Sequence, residues 1–472
     1  MNLYSHQNTS FELLQANDNF ALLMEMGTGK TLPMLKDLYF KIKQGKVKNA
    51  VLIAPSGSYR NLYAEIQKWI PDVDAEVFVW VSSASKNKTD FDKFLAQRDK
   101  NRILIINIEA LSLVASAREG VQEFLKHSPD NFVCVDESQC IKSMSSTRTK
   151  FILKIAPLAK YRRIMTGLVS PENPLNVYSQ FYFLDPAILG FSNFFSFSAR
   201  YSITRKMHLR NTRSINVVVG YKNLPELKDK IAQKSYRVRT EDVLDLPEKI
   251  YMPIREVELT DVQKRLYKEM KTQAIAQIKD TFITAQISAT ILTRLHQILM
   301  GHVTDEMGLT VEVPTNRVHA VLEILEDHQG KAIIWAPYPR LLEKIYDAIK
   351  DEYGTETVVE YWGRTNSNDR VDAVKRFQED PVCRFFVSNQ AVGGEGINLT
   401  EANLVIYAAN SWKASERQQS EARAHRSGTK HTVTYIDIAA NNTMEHKLIN
   451  ALRQKFDLAA LVQGDNVKEW LT

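Results

Sequence analysis

The sequence predicts an α/β protein of two tandem lobes, each a parallel sheet with flanking helices, joined by a helical connector. Short apolar runs of strand length recur in both halves, separated by helix-patterned stretches. The runs are apolar throughout rather than alternating, which suits strands buried on both faces of a parallel sheet. Between the halves, residues 260–300 contain neither Gly nor Pro and space their apolar residues as a helix does.

Taken in order, the first-half runs are FALLM (20–24), AVLIA (50–54), ILII (103–106) and FVCV (132–135). The second-half runs are AIIWA (332–336), RFFVS (384–388), LVIYA (404–408) and TVTYIDI (432–438). The first lobe is expected over 1–240, the connector over 241–315 and the second lobe over 316–472, with a boundary near the turn-favouring Leu246-Pro247-Glu248.

FALLM leads into Glu25-Met26-Gly27-Thr28-Gly29-Lys30-Thr31 and a helix-compatible stretch. Strand, glycine turn and helix start make an anion cradle, because glycines let backbone N–H groups approach phosphates and the helix N-terminus favours negative charge. Lys30 would reach the β/γ-phosphates, and the Thr31 hydroxyl would ligate Mg²⁺. The general phosphate-loop pattern wants Gly where Met24 stands; the helicase form, with glycines only at Gly27 and Gly29, fits. At the end of the FVCV strand, Asp136 could hold Mg²⁺ and Glu137 could orient and deprotonate an attacking water.

Composition narrows the class. The 472 residues are 44% apolar and 25% charged, ordinary globular values. Three scattered cysteines, Cys134, Cys140 and Cys383, exclude a disulfide framework, and no CxxC pair starts a zinc site. No apolar run approaches a membrane span, and residues 1–14 lack the pattern of a secretory signal, so a soluble, intracellular protein is expected. Net charge is +6. Residues 200–213, near an insertion expected at 190–215, hold five Arg or Lys and no acid; such a run is a solvated loop or a phosphate-contacting surface, with Arg205 and Lys206 as its candidates.

With these residues in view, the chain resembles the ATPases of helicase superfamily two, and within them the Swi/Snf-type DNA translocases. Tyr4-Ser5-His6-Gln7 resembles the adenine-reading motif, and LIAPSGSYRNLYAEIQKW (52–69) motif Ia. Asp136-Glu137-Ser138-Gln139 stands where the family has Asp-Glu-x-His. The tract 165–186 resembles motif III, with Leu168-Val169 in place of Thr-Pro. YRVRTEDVLDLPEK (236–249) and VELTDVQKRLY (257–267) are similar to tracts particular to the Swi/Snf group. AIIWAPYPRLLEKI resembles motif IV, SNQAVGGEGINLTEANLVIY (388–407) motif V and RQQSEARAHRSG (417–428) motif VI.

The resemblance implies two RecA-like lobes that bind ATP with Mg²⁺ in the cleft between them. It implies nucleotide contacts from Gln7, Gly27, Thr28, Gly29, Lys30, Thr31, Gly396 and Gln419, catalytic roles for Lys30, Asp136, Glu137, Arg423 and Arg426, and metal contacts from Thr31 and Asp136. Arg423 and Arg426, three apart and so on one helix face, would act as arginine fingers. DNA would be held through its backbone by Ser56, Arg60, Asn61, Lys142, Tyr338, Gln390 and Trp412. The expected function is an ATP-dependent DNA translocase or helicase that remodels forks and branches, with roles in repair, recombination or replication, or that displaces bound protein. A nucleotide-gated scaffold with little hydrolysis and an RNA helicase are the alternatives. The absence of an added targeting module implies a short viral- or bacterial-like member and leaves room for a protein partner in targeting; the compartment would be cytoplasm or nucleoid, or the host cytoplasm.

Overall fold

The computed structural model describes residues 3–81, 85–167, 174–208, 214–243, 245–280, 293–304, 309–393, 397–449 and 452. Two compact units organise the chain, one built chiefly on Met1–Arg205 and Val218–Asp245, the other on Leu246–Gln454. No helix among the described residues is long and apolar enough to cross a membrane.

The first unit is built on β1 (Asn19–Met24), β2 (Asn49–Ala54), β3 (Glu76–Val79), β4 (Arg102–Asn107), β5 (Asn131–Asp136), β6 (Tyr161–Met165) and β9 (Ser235–Val238); between β6 and β9 in sequence lies a two-stranded ribbon of β7 (Ser202–His208) and β8 (Ser214–Tyr221), divided between the two units. Seven of these form one parallel sheet in the order β3-β4-β2-β5-β6-β1-β9. Each apolar run feeds two cores: Ala21 and Leu23 pack on one face, Phe20, Leu22 and Met24 on the other. That two-sided burial explains why the runs do not alternate.

In the second unit, β10 (Lys249–Tyr251) and β11 (Arg255–Val257) pair with successive parts of β18 (Val433–Ala440). The ribbon β12 (His302–Thr304) and β13 (Thr310–Glu312) is antiparallel. Strands β14 (Lys331–Trp335), β15 (Val358–Tyr361), β16 (Phe385–Ser388) and β17 (Ala402–Tyr407) complete a parallel sheet ordered β10-β18-β17-β14-β16-β15. The helix-patterned stretch after residue 260 forms the helix Asp261–Asp280 and a helical segment at 293–299. Both clusters with this unit: Tyr267, Leu295, Ile298 and Leu299 share a core with Ile334, Phe385 and Ile406.

Eight strands coincide with the eight apolar runs. β6 was not expected, because its sequence YRRIM carries two arginines. The structure supplies the reason such a strand can be buried. Helix α1 (Ser5–Ala16) and helix α2 (Thr31–Lys43) flank it, and Asp37 of α2 is fully buried. Its carboxylate accepts from Arg163 Nε at 3.0 Å, from Gln15 Nε2 at 2.7 Å and from Lys41. Arg163 also donates to the carbonyls of Leu14 and Asn17 at the end of α1, at 2.8 and 2.9 Å. A charged residue thus satisfies the C-terminal carbonyls of one helix while paired to the next.

Replacing Asp37 by Ala strands two buried cations, and unfolding in urea is expected to show a loss of about 3–5 kcal/mol. A loss below about 1 kcal/mol would mean that Lys41 and Arg163 find other partners.

Candidate functional site

Parallel pairing brings the carboxyl ends of β1, β6 and β5 to one edge of the first sheet, with β6 in the middle. The glycine turn leaves β1 there. Gly27 and Gly29 have φ of 85° and 78°, a left-handed backbone that side chains resist. At Gly29 a Cβ would also stand 2.3 Å from Gln7 Nε2. The loop is tied down from several sides. Thr28 Oγ1 donates to the Glu25 carbonyl at 2.7 Å, the His6 ring bonds the Thr28 carbonyl at 2.9 Å, and Gln7 Nε2 donates to the Gly29 carbonyl at 3.2 Å. The Thr240 amide donates to Glu25 Oε2 at 2.9 Å. Lys30 and half-buried Thr31 then open α2.

Across the edge, Lys30 Nζ lies 2.7 Å from Glu137 Oε1. The other oxygen of Glu137 accepts from Gln139 Nε2 at 2.9 Å, and Gln139 Oε1 accepts from Thr166 Oγ1 at 2.6 Å. Glu137 has a positive φ of 46°, a conformation costly for a residue with a Cβ and common where function dictates backbone. Burial pushes the Asp136 carboxyl up to about 6; the Lys30 charge opposes the shift and Glu137 adds to it. Gly167 closes the edge: a Cβ there would come within 3.3 Å of Glu25 Cα and Met26 N.

Chemically, this edge combines a lysine that can exchange its carboxylate for a phosphate, a carboxylate held by an amide, and hard oxygen donors at Thr31 and Asp136. Among the described residues, no three or more His, Cys, Asp or Glu converge as a metal centre. A magnesium site made of one carboxylate, one hydroxyl and substrate oxygens needs no such group, so the donor set fits Mg²⁺. Ser138 donates to Gln180 at 2.6 Å and His425 bonds the Pro247 carbonyl at 2.7 Å, so each is engaged locally rather than in a nucleophilic triad.

In the second unit, half-buried Gln419 and buried Arg423 lie on the helix Ala414–Ala424, with Arg426 just beyond. Arg423 and Arg426 are brought together: both donate to the Ile397 carbonyl, at 3.2 and 3.3 Å. Gly396, next to it, lies outside the described residues, as do Leu168 and Val169. The first arginine of the tract serves differently. Arg417 is buried, with its guanidinium 3.4 Å from the Tyr407 ring centre, 2.8 Å from Glu421 and paired to Asp437.

The residues expected to touch DNA fall into separate groups. Ser56, Arg60 and Asn61 are exposed at the start of the helix Tyr59–Trp69, and Lys142 is half-buried. Arg205 and Lys206 are exposed on β7; Arg200 is ion-paired with Glu226, and Arg210 and Arg213 lie outside the described residues. Tyr338 and Trp412 are half-buried and share one neighbour, His296. Gln390 is fully buried; its Oε1 accepts the Ser411 amide at 3.0 Å, so its side chain braces the Trp412 turn instead of facing solvent.

His6, Thr166, Gly167, Thr240 and His296 escaped the sequence reading. His6 lies inside the YSHQ tract, and Thr166 and Gly167 inside the motif III tract. Thr240 lies inside the 236–249 tract, and nothing in the local sequence singles out His296.

A strand, a two-glycine turn and a Lys-Thr helix start beside an Asp-Glu strand end define a P-loop ATPase. The SNF2-related domain model matches residues 6–302 and the helicase conserved C-terminal domain model residues 316–428; the chain belongs to the SNF2-related family. An uncharacterized ATP-dependent helicase of Mycoplasma pneumoniae is 26% identical over 461 residues, covering 95% of this chain and 41% of the relative. The human DNA annealing helicase and endonuclease ZRANB3 is 24% identical over 447 residues, covering 94% and 38%. The chain therefore spans about two fifths of the length of these relatives. Among solved structures, the Sulfolobus solfataricus SWI2/SNF2 ATPase core in complex with dsDNA is similar at 22% identity and a TM-score of 0.43, covering 98% of this chain and 95% of that one.

Because the folded-state value of Asp136 lies above the ordinary carboxyl value, its contribution to stability is full below about pH 4 and is lost as pH rises through about 6. Asp136→Asn removes that loss. In the absence of metal and nucleotide the variant is expected to be more stable than the parent at pH 8, by about 3 kcal/mol, and nearly equal to it at about pH 3.5. Urea midpoints at the two pH values measure the difference; an advantage that does not grow between them contradicts the assignment.

Proposed function

We propose that the chain is an ATP-driven motor on DNA that couples hydrolysis to movement along the duplex, and that it remodels forks or branches or displaces bound protein. The observation that carries the reading is the relay Lys30–Glu137–Gln139–Thr166, with steps of 2.7, 2.9 and 2.6 Å. Lys30 cannot serve a carboxylate and a triphosphate equally. A γ-phosphate that draws Lys30 away leaves Glu137 without its lysine counter-ion, still oriented by Gln139 and able to take the proton of an attacking water. Gln139 passes the change to Thr166 at the end of β6, the strand that leads into the motif III tract.

In this reading Gly27, Thr28, Gly29, Lys30 and Thr31 cradle the phosphates, and Gln7 reads the base while bonded to the loop. Bound Mg²⁺, held by Thr31 and Asp136, would supply charge neutralisation on the phosphate oxygens. Arg423 and Arg426 neutralise charge on the transferring phosphoryl group, and Gln419 and Gly396 serve as further nucleotide contacts. Ser56, Arg60, Asn61, Lys142, Tyr338 and Trp412 hold the DNA backbone, which suits a motor because such contacts ignore sequence. DNA as the track is supported by family membership and by the annealing helicase among the relatives.

Lys30→Ala is expected to abolish hydrolysis while leaving DNA binding within about threefold. Duplex, forked and four-way DNA should stimulate the parent's turnover, and RNA should not. Duplex binding without any stimulated hydrolysis would favour a nucleotide-gated scaffold instead. Replacing both Arg205 and Lys206 by Gln should weaken DNA binding and lower the magnitude of the salt slope by about 2; an unchanged slope would remove β7 from the DNA path.

A further inference from the structure

His296 has been given no role so far, yet it stands where three segments of the second unit meet. Its ring is fully buried. Nδ1 lies 3.2 Å from the Tyr338 hydroxyl, and the ring packs edge-on against Tyr338 and Trp412, with centroids 5.3 and 5.7 Å apart. Nε2 makes no hydrogen bond among the described residues; Glu445 Oε1 stands 3.9 Å away, and the other oxygen of Glu445 is paired with Arg317. A proton on Nε2 faces that carboxylate, which leaves Nδ1 to accept from the tyrosine. Burial, reinforced by the Arg317 charge, pulls His296 down to about 3 and pushes Tyr338 up to about 12, so both are neutral near pH 7.

The neighbouring segments are tied in the same way. Asn389 Nδ2 donates to the Pro337 carbonyl at 2.8 Å, and Gln390 receives the Ser411 amide. Residues 337–338, 389–390 and 411–412 thus form one braced surface, and His296 is the buried side chain that touches both of its aromatic members.

We propose that His296 is a positioning residue that locks Tyr338 and Trp412 into one rigid pair for gripping the DNA backbone. This rests on the reading that Tyr338 and Trp412 meet DNA. Tyr338 also has the His302 ring edge-on at 5.3 Å, but without the His296 imidazole its hydroxyl loses its acceptor and the link to Trp412, and affinity would fall by the cost of ordering the pair on binding.

The experiment compares the parent with His296→Phe, His296→Asn and Trp412→Ala, recording DNA-free ATP turnover and the duplex concentration that gives half-maximal stimulation. His296→Phe keeps a ring and loses the acceptor; the half-stimulating concentration should rise about tenfold while DNA-free turnover stays within about twofold. His296→Asn, whose amide can still accept from Tyr338, should recover part of that loss, and it keeps the test alive should the Phe variant not fold. If Trp412→Ala leaves half-stimulation unchanged, the DNA reading of this surface falls. If Trp412→Ala shifts it and both His296 variants do not, the positioning role alone falls. An equal drop in DNA-free and stimulated turnover in the His296 variants would also overturn it.

Discussion

A lysine and a glutamate 107 positions apart in sequence meet at 2.7 Å on the edge of the first sheet, and the arrangement of that lobe depends on the meeting. Both side chains are largely shielded from water, at 11% and 14% exposure, so neither charge has solvent to fall back on. Each is the counter-ion of the other until something more highly charged arrives. The contact exists because β6 separates β1 from β5, which sets the two loops one strand apart on the same side. Gly167 keeps the end of that intervening strand from pushing the glycine turn away.

Buried charge is used in a related way elsewhere. In the first unit, Asp37 joins α2 to β6 and, through Arg163, to the end of α1, the helix that carries Gln7. In the second unit, Arg417 joins the helix of Arg423 to β18 through Asp437 and to the Tyr407 ring on β17. Such groups are costly to desolvate and add little net stability. What they do here is specify register: a helix that slid by one turn would leave a full charge unpaired in an apolar core. The helices so anchored are those that bear the candidate nucleotide contacts.

Much of this was legible in the sequence, and what was not has a physical cause. The apolar runs announce the central strands because a parallel sheet covered on both faces leaves few positions for polar residues. The glycine turn is legible because φ values near 80° at Gly27 and Gly29 narrow the choice of residue. β6 was hidden because Arg163 is neutralised by Asp37, 126 positions away, and Arg162 bonds Asn19, 143 positions away, which no local window can show. β3 was hidden because it is an edge strand, only half-buried along its length. Gln390 was assigned to DNA by motif position, whereas its burial makes it a brace for the Ser411 amide. His296 was invisible because its significance lies in the side chains it touches, brought together by the fold from residues 296, 338 and 412.

The two relays share a property that sets how the protein can respond to its surroundings. Gln139 is an amide and carries no proton to gain or lose; it can connect Glu137 with Thr166 only by geometry. His296 is a titratable residue made inert, because burial keeps it neutral far below physiological pH. Neither Gln139 nor His296 changes charge with modest shifts in acidity. Asp136, by contrast, sits at about 6, near enough to neutrality for modest acidification to protonate it. Lowering the pH therefore acts on Asp136, while Gln139 and His296 keep their charge state.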